Sequence, residues 1–148
     1  MSFTLPMKIT DVCVLVESVE RAVDFYSNVL GFKLRRRAEG FADFHAEQVT
    51  LACWELDHIN KTAGVSNLRA PKGAHKSCIA IRLGSPADID EAYATLSARG
   101  VHFEKEPFDF PWNARCIYFS DPDDNVWELY AWYPEGPKHD YDSEDTQT

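Results

Sequence analysis

The chain has 148 residues with a formal net charge of −9, and 45% of its residues are hydrophobic. This length and composition are typical of one soluble globular domain, or of two small modules that share a core. The acidic balance argues against nucleic-acid binding, because contacts with phosphates need clustered lysine and arginine. The one basic run, at 33–37, is predicted to be an exposed strand edge.

The four cysteines are scattered through the sequence, at Cys13, Cys53, Cys78 and Cys116. They lack the C-x-x-C spacing of a metal or redox motif, and most lie in apolar runs, where a free cysteine behaves as a small hydrophobic residue. The first ten residues lack the apolar core of a signal peptide, and no apolar run is long enough to span a membrane. We therefore expect a reduced, cytoplasmic protein without disulfides and without a membrane partner.

Residues 8–56 show the pattern β-α-β-β-β. The run ITDVCVLV is rich in β-branched residues, as in a buried strand. The helix that follows has Ser18 as its N-cap, apolar residues at helical spacing, and Gly31 at its end. Three more strands are predicted in FKLRRRAE, FADFHAE and QVTLACWEL.

Residues 57–75 are polar and too long for an ordinary loop, so we interpret them as a linker with a helical turn over a site. His58 and His75 lie in this linker, and His45 lies at the edge of a predicted hairpin. We expect all three imidazoles to be exposed to solvent. The alternative is that one of them reaches the ligand pocket from above.

Residues 76–132 repeat the pattern. SCIAIRLG predicts a strand, the next helix begins with Ser85 as N-cap and ends at Gly100, and VHFEKEPF, ARCIYFS and NVWELYAW predict three strands. The two N-caps, Ser18 and Ser85, lie 67 residues apart, and the two terminal glycines lie 69 apart. Similar offsets along two full segments indicate a duplicated module, whose two sheets would enclose a shared concave face.

Two segments, FYSNVLGFKL at 25–34 and FSDPDDNVWELYAW at 119–132, resemble the signature segments of the vicinal oxygen chelate superfamily. That superfamily includes glyoxalase I, extradiol dioxygenases, fosfomycin-resistance thiol transferases and bleomycin-resistance proteins. The resemblance covers residues 8–132. It implies an α+β fold of two tandem βαβββ modules, which form curved mixed sheets around a shared cavity, and it implies a homodimer. It leaves the reaction open, because members share the scaffold and differ in the site.

The resemblance also implies four positions that face the cavity, which in metal-dependent relatives are usually His, Glu, His and Glu. Here they fall on Asp11, Ala52, Cys78 and Glu128, with Leu51 replacing Ala52 if the register differs by one residue. Only Glu128 matches the pattern, and Ala52 offers a metal no ligand. We therefore expect a metal-free cavity. The alternative is a divalent metal (Zn, Ni, Fe or Mn) held by Asp11, Cys78 and Glu128, an unusual mixture of oxygen and thiolate ligands.

Glu128 lies in a strand whose alternation places it on one face with Val126 and Tyr130. An unpaired charge in such an apolar strand is costly, so the carboxylate is solvated, paired or used. We predict that it faces the cavity with Asp11, as a proton donor–acceptor pair or a cation site. The structural alternative is a partner arginine or lysine.

Aromatic residues predict an apolar wall for the ligand. Trp54 shares the alternation face of Ala52, and Trp112 precedes a strand at the place where relatives have a mobile loop. Phe44, Trp54 and Trp112 would then contact a planar or cationic ligand. Cys78 has no evident histidine partner and is expected to fill space and not to act as a nucleophile.

Three functions remain open from the sequence. One is a binding protein of the bleomycin-resistance type, which sequesters a small aromatic or cationic molecule. The second is a metal-dependent lyase, isomerase or dioxygenase that chelates two adjacent substrate oxygens. The third is a metal-free enzyme in which Asp11 or Glu128 moves a proton. The missing ligand at Ala52, the two acids and the aromatic wall favour the first.

Residues 133–148 contain five acidic residues, one lysine and almost no aliphatic residues. Such a segment cannot bury enough apolar area to offset the entropy of ordering it. We therefore predict a single domain over residues 1–132, followed by a flexible acidic tail at 133–148.

Overall fold

The computed structural model describes residues 3–6 and 8–138, which form two compact units, one up to Pro71 and the other from Lys72. Each unit has one four-stranded mixed sheet with a helix after its first strand. In both, the first and last strands are parallel neighbours, and the remaining pairs are antiparallel. The predicted α+β fold of two tandem modules is therefore confirmed.

The first unit has the strand order β1-β4-β3-β2. Its elements are β1 (Asp11–Val16), α1 (Val19–Val23), a π-helical turn (Asp24–Val29), β2 (Leu34–Ala38), β3 (Phe41–Phe44), β4 (Thr50–Glu55) and α2 (Leu56–Ala63). The hydroxyl of Ser18 caps α1 by accepting a hydrogen bond from the amide of Arg21 at 3.3 Å. The predicted helix continues as a π-helical turn after Val23, a change of pitch that apolar spacing alone does not predict.

The core of the first unit lies between α1, the π-helical turn and one face of the sheet. Val19, Ala22 and Tyr26 are its buried helical residues, and the ring of Tyr26 lies 5.6 Å from that of Phe44. Phe44 is therefore a core residue, and its predicted place in a ligand-facing wall is wrong. It points away from Ala52 because neighbouring residues of a strand face opposite sides, and Asp43 lies opposite Ala52.

The first part of the predicted linker belongs to the first unit. Residues 56–63 form α2, which packs on β4, and Arg69 makes ion pairs with Glu17 and Asp57, both at 2.8 Å. His58 is half-buried and not exposed as expected, because its ring packs against Gly40 and Nδ1 accepts a hydrogen bond from the indole of Trp54 at 2.9 Å.

The second unit has the strand order β5-β8-β7-β6. Its elements are β5 (Cys78–Arg82), α3 (Pro86–Ala98), β6 (Phe108–Phe110), β7 (Ala114–Ser120) and β8 (Val126–Trp132). The hydroxyl of Ser85 accepts a hydrogen bond from the amide of Asp88, as the capping pattern predicts. The strand predicted over 101–108 begins only at Phe108, and Pro107, which cannot donate a ladder hydrogen bond, directly precedes it.

The second unit extends beyond the predicted boundary at residue 132. The amide of Asn113 donates to the carbonyls of Pro134 and Gly136, and Lys138 N–H donates to the carbonyl of Trp112 at 3.0 Å. Residues 133–138 therefore dock on the β6–β7 turn and are not part of a free tail. The rest of that predicted tail, 139–148, lies outside the described residues. All four cysteines are free thiols, and no helix in the described ranges could cross a membrane.

Candidate ligand cavity

The β7–β8 hairpin gives the sheet of the second unit two different faces. Trp127, Leu129 and Ala131 are buried on the face that packs against α3. Glu128 lies on the other face, directly opposite Tyr118 in β7 and Ala80 in β5. The alternation predicted from the sequence thus places this carboxylate away from the helix.

An open cavity of about 520 Å³ lies on the face of the sheet that carries Tyr118. It is formed by the segment before β5, by residues 102–106, by β6 and β7, and by the turn before β8. Its lining residues are Gly73, His75, His102, Glu104, Lys105, Glu106, Phe108, Phe110, Cys116, Ile117, Tyr118, Phe119, Ser120, Asp124 and Val126. The volume is in the range of small-molecule sites.

The charged groups of the cavity are mostly acidic. Glu104, Glu106 and Asp124 contribute three carboxylates against the single ammonium of Lys105. His102 Nε2, one of the two imidazole groups at the rim, lies 3.2 Å from the carboxylate of Glu104, and both side chains are exposed. At neutral pH the lining therefore favours a positively charged ligand over a negatively charged one.

An aromatic cluster forms one side of the cavity. The ring of Phe110 stacks on Trp112 with centroids 4.4 Å apart and an angle of 14° between the planes. Phe110 also contacts Phe108 and Tyr118 edge-on, at 5.0 and 6.2 Å. Phe108 is 56% exposed, which leaves its ring available to a planar molecule. Trp112 supports this cluster through Phe110, although it is not itself a lining residue.

Glu128 contributes to the raised pKa values of three neighbouring side chains. Burial raises the pKa of Tyr118 above its ordinary value, and hydrogen bonding to Glu128 and the charge of Glu128 raise it further. Burial followed by the same charge raises the pKa of Cys116 to about 11, and these two causes also raise the pKa of Cys78. Both thiols and the phenol therefore stay protonated at neutral pH, and neither cysteine is an activated nucleophile.

The sequence of both units matches the model of a known protein family. The family model of the Glyoxalase/Bleomycin resistance protein/Dioxygenase superfamily matches residues 8–129. The chain belongs to this superfamily. The match spans both modules and ends within β8, one residue beyond Glu128.

Solved members of the superfamily share this fold. A glyoxalase/bleomycin resistance protein/dioxygenase from Nocardioides is 41% identical, with a TM-score of 0.84 over 93% of this chain and 91% of that one. A lactoylglutathione lyase from Agrobacterium tumefaciens has a TM-score of 0.71 over 90% of this chain and all of its own, at 17% identity. The second likeness concerns the fold alone.

Two Bacillus subtilis proteins are similar in sequence. The uncharacterized protein YraH is 26% identical over 127 residues, which cover 84% of this chain and 98% of YraH. A catechol-2,3-dioxygenase is 30% identical over 118 residues, or 78% of this chain. The present chain spans only 38% of that dioxygenase.

The two last-strand positions that the resemblance implies, Ala52 and Glu128, have different neighbours in the two units. In the first unit, Ala52 lies between Cys13 in β1 and Asp43 in β3, whereas in the second, Glu128 lies between Ala80 and Tyr118. Ala52 is therefore the counterpart of Glu128, as the resemblance implies. In the first unit the acid is Asp43, which lies in β3 opposite Ala52. Its position corresponds to that of Tyr118 in the second unit.

The acid of the first unit is committed to a structural role. Asp43 is fully buried, and its carboxylate accepts hydrogen bonds from both Arg35 and Arg36. These contacts, led by the hydrogen bond from Arg35, hold the pKa of Asp43 far below its ordinary value. Asp11 is exposed at the start of β1, where it accepts a hydrogen bond from the hydroxyl of Thr10 at 2.7 Å.

The residues at the superfamily's metal positions do not fit a divalent metal. Ala52 supplies no donor atom, and the nearest acid of its sheet, Asp43, is already paired with Arg35 and Arg36. Within residues 3–6 and 8–138, no three His, Cys, Asp or Glu side chains form a group that could hold an ion. The residues at these positions therefore do not make a divalent-metal site.

The sequence patterns do not identify Tyr118 and most of the cavity rim as site residues, or Asp43 as a buried acid. Tyr118 could have been found, because a hairpin across the DPDD turn places it opposite Glu128. Residues 102–106 of the rim could not have been found in this way. The run VHFEKEPF predicts a strand, whereas the structure has no regular element before Phe108. Trp54 is half-buried on the Ala52 face, but its indole N–H already bonds to His58 and its ring packs edge-on against Phe41.

Proposed function

We propose that the second unit binds a small aromatic molecule that carries a positive charge, and that the protein sequesters this molecule without chemistry. The observation that carries the proposal is the combination, in one cavity, of exposed aromatic rings with an excess of carboxylates. Aromatic faces attract both planar groups and cations, and nearby carboxylates strengthen the second attraction.

The arrangement of the rings supports an aromatic ligand. Phe110 is fixed between Phe108, Trp112 and Tyr118, so the cluster is largely ordered before a ligand arrives. A preformed wall loses little side-chain entropy on binding, which leaves more of the contact energy for affinity. The side chain of Trp112, which is 40% exposed, also offers a fluorescence signal beside the cavity.

The carboxylates support a cationic ligand. Glu104 and Glu106 flank Lys105 in a segment without regular secondary structure, and Asp124 lies in the β7–β8 turn. Because Glu104 and Glu106 are exposed and Asp124 is half-buried, each contributes modestly, and their combined field weakens as salt screens it. Affinity for a cation should therefore fall with ionic strength.

The test compares three probes of similar size by calorimetry and by Trp fluorescence: benzyltrimethylammonium, benzyl alcohol and benzoate. The proposal expects the cation to bind most tightly and the anion least. The double variant Glu104→Gln/Glu106→Gln removes two charges. Its affinity for the cation should be about two- to tenfold weaker, and its affinity for the alcohol should be unchanged. Glu91→Gln, on the exposed surface of α3, is the matched control. Equal affinity for all three probes would contradict the proposal.

A second candidate is a metal-dependent reaction on a substrate with two adjacent oxygens. It is supported by the 30% identity with the catechol-2,3-dioxygenase over 118 residues, and opposed by the donor set described above. Elemental analysis of protein purified without added metal tests it. Near-stoichiometric iron, manganese, zinc or nickel, together with oxygen uptake in the presence of catechol, would favour this candidate over sequestration.

A further inference from the structure

Asp124, in the β7–β8 turn, contacts both an imidazole at the cavity rim and the main chain two residues before it. His75 Nδ1 lies 2.7 Å from the main-chain carbonyl oxygen of Asp124, and the carboxylate of the same Asp124 accepts a hydrogen bond from the amide of Gly73 at 2.9 Å. Both His75 and Gly73 line the cavity. A single residue of the β7–β8 turn thus fixes the segment that leads into β5.

The residue that makes these contacts is itself fixed. Asp124 has a left-handed backbone, with φ of 66°, and its amide donates to the carbonyl of Asp121. The carboxylate of Asp121 accepts hydrogen bonds from the amides of Asp123 and Asn125, at 2.8 and 2.9 Å. The turn is therefore a rigid support for the imidazole.

The contact with the carbonyl determines where the imidazole carries its proton. A main-chain carbonyl can only accept a hydrogen bond, so Nδ1 must be the donor. In the neutral ring, Nε2 is then the acceptor. Within residues 8–138 the structure gives Nε2 no partner, whereas the other imidazole of the cavity, His102, already uses Nε2 toward Glu104.

We infer that the turn at Asp124 holds His75 with its proton on Nδ1, so that Nε2 serves as a hydrogen-bond acceptor for an N–H or O–H group of the molecule in the cavity. This inference rests on the proposed function and narrows its ligand class. The preferred ligand is an aromatic ammonium or hydroxyl compound that can donate a hydrogen bond, in contrast to a quaternary cation, which cannot.

The first experiment needs no ligand. Nitrogen-15 NMR at about pH 8 distinguishes a protonated ring nitrogen from an unprotonated one. The inference expects His75 to carry its proton on Nδ1 in the intact protein. A proton on Nε2 would overturn the inference and would leave the proposed function untouched.

The second experiment compares benzylammonium, which has N–H groups, with benzyltrimethylammonium, which has none. His75→Asn is the informative variant, because its amide nitrogen can occupy the place of Nδ1 and donate to Asp124, whereas nothing replaces Nε2. We expect the variant to bind benzylammonium about three- to tenfold more weakly and the quaternary probe as before. His45→Asn, at an exposed histidine of the first unit, is the control.

The outcomes separate the two proposals. Equal losses for both probes, or no loss for either, would overturn the role of Nε2 while cation binding stands. If neither probe binds to the unsubstituted protein, the proposed function fails, and the tautomer measured by NMR still decides whether the turn sets the proton on His75. The melting temperature of His75→Asn shows whether the rim remains folded.

Discussion

Arg36 lies opposite Asp43 in the β2–β3 pair, and both its Nε and one Nη donate to the same carboxylate oxygen, at 2.9 and 2.7 Å. Asp43→Asn removes the charge from this buried contact. We expect the free energy of unfolding to fall by about 1–3 kcal/mol, because two arginines lose a charged partner in a partly solvated setting. Urea unfolding at neutral pH measures it, and an unchanged midpoint would contradict the role given to Asp43.

The carboxylate of Asp43 should also make the free energy of unfolding depend on pH. The pKa of Asp43 is lower in the folded protein than in the unfolded chain, so its contribution is complete above about pH 4 and is lost as pH falls toward the folded pKa. The difference in unfolding free energy between the unsubstituted protein and Asp43→Asn should therefore shrink below about pH 4. A difference that stays constant from neutral to acidic pH would show that the charge is not responsible.

Gly40 should tolerate no side chain. A Cβ at this position would lie 2.6 Å from Cγ of His58, and the backbone φ is 65°. Gly40→Ala should lower stability by about 2–4 kcal/mol, since it combines backbone strain with overpacking. Gly64→Ala is the matched control, with φ of 73° and nothing within 4 Å of the new methyl group. Equal melting temperatures for the two variants would mean that His58 moves aside freely.

Glu128→Gln should leave the fold intact and change the chemistry around it. None of the ion pairs among the described residues includes Glu128, so no cation loses its partner and the melting temperature should stay level or rise. Removing the charge should lower the pKa of Cys78 and speed its alkylation at about pH 8. Cys13, whose pKa is raised by burial and by Asp11, is the internal control. A clear loss of stability would place Glu128 in the scaffold.

Two truncations should separate the docked residues from those beyond them. Ending the chain after Lys138 keeps the contacts with Trp112 and Asn113, and we expect the melting temperature to change little. Ending it after Trp132 removes those contacts and the hydrogen bond from Tyr133 to Asp109 at 2.6 Å, and we expect a fall of several degrees. Identical melting temperatures would show that residues 133–138 contribute nothing to stability.

The sequence predicted the modules well because their signals are local and repeated. Caps such as Ser18 and Ser85, and strict alternation in β8, follow from backbone geometry, and the structure has each of them. Phe44 was misplaced because a one-residue choice of face in a short strand decides between core and cavity. The rim around Glu104 and His75 was missed because its form depends on contacts between segments far apart in sequence, which no local pattern records.

The acids of the two units, Asp43 and Glu128, lie on neighbouring strand positions and not at equivalent ones. The two units therefore differ in which substitutions they tolerate. In the first unit the acid at Asp43 is locked by Arg35 and Arg36, so most substitutions there cost stability. In the second, the face that carries Tyr118 and Glu128 borders the cavity without supporting an ion pair among the described residues. Under the proposed function, the residues that select a ligand and this buried ion-pair cluster therefore lie in different halves of the chain. Substitutions on the face that carries Tyr118 can then change binding preference without disturbing the contacts of Asp43 with Arg35 and Arg36.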